Sequence, residues 1–325
     1  MIHESQTESS KEVHGSKPFS KLTSIEIPDL PGLIFLLCGI ITILIIVFLI
    51  GFIFYTAFPT FQSQGLYSIF GTNWDYTQHQ YGMLVFICGT IALTVVTIAI
   101  ACPLSILTAI FLAEYSPPRL TKVMRPMIEL LVGIPSVVYG IFGLFVLGNM
   151  FKYNINPGIS SVLGFIPIFR NLQPSTGEGL LLASIVLSIM ILPTITSLSV
   201  EAINSVPREY KEASISLGAT KWETIKKAIM PVASSGILTA VVLGVMRAMG
   251  ETMAVVMLFG GQMHIPGSLF DTGYAMTSKI LNDIGYWVAV PEGRSALFAI
   301  AAVLIVFEVI TVAAARAIGG RKKWS

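Results

Sequence analysis

The chain has 325 residues, of which 54% are hydrophobic and 12% carry charge, about half the charged share of roughly 25% found in soluble domains. A surface that poor in charge needs lipid around it, which excludes an ordinary cytosolic enzyme, a disordered chain and a disulfide scaffold. The net charge of +2 is too small to point to nucleic acid. Cys38, Cys88 and Cys102 all fall in apolar stretches, away from any His or Cys at metal-ligand spacing, and read as packing residues.

In chain order, residues 1 to about 25 are rich in Ser, Thr, Lys and Glu without periodicity, and predict a flexible tail reaching to residue 30. Crossing the hydrocarbon layer takes ~20 apolar residues. Six stretches meet that requirement: Leu33–Tyr55, Gly82–Ala113, Met127–Met150, Leu180–Ser199, Val232–Phe259 and Ala296–Ala315. The first is too long for a signal-peptide core and has no small-x-small cleavage pattern, so it is expected to remain in the protein. Fifteen lysines and arginines fall in the tails and the second and fourth loops, against four in the first, third and fifth loops. That asymmetry predicts both termini on the cytoplasmic side of a bacterial plasma membrane. The outward loops, 59–81, 151–179 and 260–293, contain short apolar patches at 159–169 and 274–284, expected as amphipathic turns. The organisation predicted is a tail over 1–30, an all-α six-span domain over 31–318 and a basic cytoplasmic end over 319–325.

The fourth loop is the most informative segment. Val206, Tyr210, Ala213 and Leu217 are spaced as one helical stripe, with Pro207 in the first turn and Gly218 placed for a left-handed C-cap. Thr220 and Glu223 have capping-box spacing for a second short helix with Trp222, Ile225 and Ile229 apolar, and Pro231 ends that helix or bends it into the membrane. Spacing alone leaves two readings open: an amphipathic pair resting on lipid headgroups, or a rigid platform for a partner.

The run Glu212-Ala213-Ser214, then Leu217-Gly218-Ala219-Thr220, then Ile229-Met230-Pro231, resembles the EAA loop of ABC-importer permeases, departing only in Ser214 for a second alanine. The flanking runs ELLVGIPSVVYG (129–140), RAMGETM (247–253) and GTIALTVVTIAIACPLSILTAIFLAE (89–114) are similar to the permeases of phosphate-specific ABC importers, the PstC type more than the PstA type. The resemblance covers about residues 30 to 318. It implies a MetI-like type I importer fold and a heterodimer with a PstA-type permease, two PstB-type ATPase subunits and a PstS-type phosphate-binding protein. It also implies that Tyr210, Glu212, Ala213, Leu217, Gly218 and Thr220 belong to the helix that docks on the ATPase. The sequence agrees on one independent point: without a Gly-Lys dipeptide it has no Walker A loop, so ATP and Mg are expected on the partner and no cofactor on this chain.

Arg247 and Glu251 are four apart within the fifth stretch, which predicts a shared helix face. An arginine at that depth costs ~2.5–3.5 kcal/mol on insertion scales and by default faces a bundle interior or a watery path. It would lower the barrier for a phosphate anion and offer a two-pronged donor, with Glu251 holding it between anions; the alternative is a structural ion pair that only locks helices. Ser136, Tyr139 and Thr252 are candidates to line the same path, or to hydrogen-bond across helices. Gly133, Pro135 and Pro193 are expected to interrupt spans as hinges or packing kinks. A permease for sulfate or molybdate would share most of these features. A secondary carrier would not need the thirty-residue loop, and no nucleophile–base set has a local signature of catalysis.

Overall fold

The computed structural model describes residues 30–65, 67–170 and 177–320; the tail expected over residues 1–25 and the basic end at 321–325 lie outside the described residues. Ten helices are labelled here: α1 (Leu30–Gln64), α2 (Leu84–Tyr115), α3 (Pro118–Val132), α4 (Ser136–Leu163), α5 (Leu180–Asn204), α6 (Arg208–Ser216), α7 (Lys221–Gly250), α8 (Met253–Leu258), α9 (Met276–Trp287) and α10 (Pro291–Gly320). Six of them, α1, α2, α4, α5, α7 and α10, are long and apolar enough to cross a membrane. A two-stranded antiparallel hairpin, β1 (Trp74–Asp75) with β2 (Gln80–Tyr81), lies between α1 and α2.

The chain divides into two compact units, Met1–Gly51 and Phe52–Ser325. In the first, the described helix turns apolar side chains such as Phe35 and Leu44 outward, a surface suited to lipid or to another membrane chain. The sites discussed below all lie in the second unit.

All six spans shift from their sequence-based bounds, α1 running on to Gln64, and two shift most. Met127–Val132 belongs to α3, an amphipathic helix with no buried residue, and the crossing helix begins only at Ser136. Pro135 offers no N–H, and the residue before a proline is driven out of the helical region, so the chain breaks at Gly133–Pro135. At its other end the helix passes Lys152 and continues to Leu163, into what reads as loop by hydropathy. A backbone in an apolar setting satisfies its polar groups by staying helical, and one lysine does not stop it. The fifth crossing helix is displaced toward the N-terminus: it starts at Lys221 and ends at Gly250, short of the expected Phe259.

α5 is the most enclosed helix and α2 and α7 pack against it. Polar staples set the α2–α5 register: the Ser188 hydroxyl donates to the Thr97 carbonyl at 3.0 Å and Ser105 to the Leu192 carbonyl at 3.3 Å. Hydrogen bonds and close packing take the place of hydrophobic drive between helices in lipid. Pro193 lies inside α5 without ending it, buried among these contacts.

Candidate functional site

The loop after α5 is built by local capping, much as its spacing predicts. Gly218 has φ +82°, the left-handed cap, and no atom comes within 4 Å of where its Cβ would be. Thr220 and Glu223 form the complete capping box: the Glu223 N–H donates to Thr220 Oγ1 at 3.3 Å, and the Thr220 N–H to Glu223 Oε2 at 3.0 Å. One detail departs from expectation. The second helix is not a short piece but the first turns of α7, which runs on through Pro231. A wide turn at Ile225–Ile229 precedes that proline and absorbs the disruption from its missing donor. The stripe faces outward, as both readings of the loop require. Val206 is buried, while Tyr210, Ala213 and Leu217 are exposed, Leu217 at 89%, and Trp222 joins them.

Long-range ties hold this exposed face in place. Lys211 pairs with Glu114 at the end of α2. Ser214, the one departure from the motif, bridges to Thr224 at 3.0 Å, fastening α6 to α7. Arg125 of α3 reaches Glu201 of α5 at 3.6 Å. Glu212 is exposed and its carbonyl accepts from Ser216. The loop thus offers an apolar surface braced by α2 and α7, while the neighbouring pair Arg125–Glu201 ties α3 to α5.

The second constellation lies where two crossing helices are broken. α4 begins after the Gly133–Pro135 turn, and α7 ends at Gly250 with Glu251 extended (φ −69°, ψ 131°) before α8 resumes. α4 and α8 meet closely because Gly140 faces α8: a Cβ there would sit 2.7 Å from Met257 Sδ. That contact brings Ser136 and Tyr139 to the same region as Arg247, Glu251 and Thr252. Tyr139 lies within electrostatic reach of Arg247, and its hydroxyl donates to the Leu131 carbonyl at 3.0 Å across the α3–α4 turn. Ser136 is half-buried at the start of α4.

The expected Arg247–Glu251 face does not form. The helix ends between them, so i,i+4 geometry no longer applies. Arg247 Nη1 donates to Thr194 Oγ1 of α5 at 2.9 Å, a neutral partner. Glu251 turns the other way: its carboxylate accepts the Ala254 N–H at 3.3 Å, capping α8. Thr252 Oγ1 donates to the Gly250 carbonyl at 3.2 Å.

The family model for the binding-protein-dependent transport system inner membrane component matches residues 105–324. The chain belongs to that family. This family member is 42% identical over 77% of its length to a probable ABC transporter permease, YqgH, of Bacillus subtilis, and spans 76% of that protein. It is 37% identical to the phosphate transport system permease PstC of Xylella fastidiosa, with 78% of each chain covered. It is 31% identical to a probable PstC of Methanocaldococcus jannaschii over 90% of this chain and 92% of that one. The permease fold is shared with a bacterial ABC transporter involved in alginate import at TM-score 0.53 and 18% identity, over 89% of this chain and 96% of that chain. It is a multi-pass membrane protein of MetI-like architecture.

Two residues near the break of α7 escaped the sequence reading. Thr194, the partner of Arg247, is one of many hydroxyls in apolar helices and carries no local signal. Glu308 did carry one, as an acidic residue well inside the last apolar stretch. Its Oε1 stands 3.9 Å from where a Gly250 side chain would begin. It lies seventeen residues beyond Pro291, in the middle of α10 and beside the break of α7.

Proposed function

We propose that this permease is the PstC-type subunit of an ATP-driven importer that moves inorganic phosphate into the cell by alternating access. The observation that carries the reading is the junction of two broken spans at which Arg247 is held by a neutral hydroxyl. Among the described residues the guanidinium bonded to Thr194 makes no ion pair with a carboxylate, and it can present further N–H donors to a tetrahedral anion. Unwound backbone at mid-membrane occurs where it lines a path, which agrees with this placement. In this reading the loop at 205–220 and both termini face the cytoplasm, and the exposed Tyr210–Leu217 face docks one of two PstB-type ATPase subunits. A PstA-type permease completes the pair, a PstS-type protein delivers phosphate from outside, and ATP with Mg is bound and hydrolysed on the ATPase subunits. The braces at Glu114 and Thr224 would carry the closure of the ATPase into α2 and α7.

Labelled phosphate uptake, with sulfate as control, in cells whose own permease is replaced by this chain tests the proposal. The partner subunits are present, and wild type and Arg247→Gln are compared at equal membrane abundance. Phosphate-selective uptake that falls about a hundredfold in the variant is expected, the usual scale for removing a donor aimed at developing or passing charge. Sulfate uptake by the wild type would replace the substrate, and undiminished phosphate uptake by the variant would leave Arg247 a packing residue.

A further inference from the structure

Helix α9 is tied at two levels. Its first turn, Met276 to Lys279, is buried. There the Thr277 hydroxyl donates to the Glu251 carbonyl at 2.9 Å, at the point where α7 gives way to α8. The Met276 N–H donates to Thr90 Oγ1 of α2 at 3.0 Å. Only a glycine at position 89 lets these segments approach, since a Cβ there would lie 2.2 Å from the Tyr274 carbonyl oxygen.

The second tie is Lys279, whose side chain is 3% exposed and pairs with Asp283 at 2.8 Å. Its ammonium lies 5.4 Å from the ring centre of Trp74, 5.8 Å from Tyr76, 5.5 Å from Phe86 and 5.4 Å from Tyr274. The Tyr76 hydroxyl donates to Asp283 at 2.6 Å, and its ring stacks on Trp287 with centres 3.9 Å apart. Burial pushes the Lys279 amine below its ordinary value while Asp283 draws it back. Burial pushes the Tyr76 phenol up, and the bond to Asp283 adds to that. A buried ammonium persists only when paired, and the ring faces add cation–π attraction. These rings come from the β1–β2 hairpin, the start of α2 and the segment entering α9, so one lysine joins three parts of the chain.

The same first turn of this short helix therefore grips the hairpin through Lys279 and the carbonyl at the α7–α8 break through Thr277. We infer that α9 is a positioning strut. Lys279 anchors it in the aromatic cage and Thr277 holds the Glu251 carbonyl, so a displacement of the hairpin, which lies in a loop read as outward, moves the junction that carries Arg247. The inference rests on the proposed transport role of that junction.

The experiment uses the whole transporter, both permeases with ATPase and binding protein, reconstituted in lipid vesicles. Thr277→Val, Thr277→Ser and Lys279→Met are compared with wild type for phosphate uptake, for ATP hydrolysis with and without binding protein, and for deuterium exchange of the amides at 250–256. Thr277→Val is expected to lower uptake and binding-protein-stimulated hydrolysis about fivefold, the scale of one buried hydrogen bond. Basal hydrolysis stays unchanged, Thr277→Ser restores the rate, and exchange at 250–256 rises in both Thr277→Val and Lys279→Met. Unchanged uptake in Thr277→Val, or a loss that serine does not restore, overturns the strut. So does faster exchange in neither variant. If wild type fails to take up phosphate, the substrate reading falls while the exchange arm still decides the strut.

Discussion

The α6 loop and the α7–α8 break are both short interruptions between helices, yet they are held by opposite means. In the loop the shape comes from local contacts, a left-handed glycine, a capping box across three residues and a bridge from Ser214 to Thr224 ten residues on, with one remote tie from Lys211 to Glu114. At the break the contacts are remote. Arg247 is bonded to a hydroxyl 53 positions earlier and the Glu251 carbonyl to one 26 positions later. A loop built from its own caps can be braced as a rigid body, which suits a docking surface. A break held by neighbouring helices changes when those neighbours move, which suits a path that opens and closes.

That contrast can be tested from its strongest element downward. Gly218→Val should act through the backbone alone, because nothing crowds the site. Left-handed geometry costs a non-glycine residue roughly 1–2 kcal/mol, and a β-branched one more. Uptake about tenfold lower at normal membrane abundance is expected, with Gly218→Asn, which tolerates this geometry, close to wild type. Equal uptake by the valine variant would show that the cap does not matter to coupling.

At the break, Glu251→Ala and Glu251→Gln separate a cap from a charge. If Glu251 serves chiefly to receive the Ala254 N–H, glutamine retains an acceptor and most of the activity. Alanine should lose about 1 kcal/mol, near fivefold, as for other lost caps. A glutamine variant as impaired as alanine would return the negative charge, and with it the Arg247 pairing, to the centre of the account.

The smallest effect is expected from Ser214→Ala, which restores the motif's alanine and removes the 3.0 Å bridge to Thr224. One hydrogen bond of ~1 kcal/mol lowers the melting temperature of the assembled transporter by about 2 °C. Uptake should stay within about twofold of wild type. A larger loss of uptake than of melting temperature would make the bridge part of the transmission rather than of stability alone.

The difference between the two regions also explains how far the sequence could be read. Six apolar stretches, the Gly218 cap and the Thr220–Glu223 box follow from composition and from residues within a turn of one another. Their energetics are settled before any tertiary contact forms. The break at Gly133–Pro135 has an equally local cause in a proline, although hydropathy ran straight across it. The outward stripe of α6 is legible in its spacing, but a stripe does not say whether it meets lipid headgroups or another chain.

Composition and spacing alone specify a six-span membrane chain with a capped loop and a charged group within its fifth apolar stretch. Lipid demands long apolar helices, and caps act over three or four residues. Packing between helices sets that Arg247 meets Thr194, that Glu251 turns away to cap α8, that Glu308 stands at the break, and that Lys279 sits among four rings. All but the Glu251 cap join segments far apart in the chain. A spacing of four promises a shared face only while the helix continues, and here it ends at Gly250, one residue before Glu251.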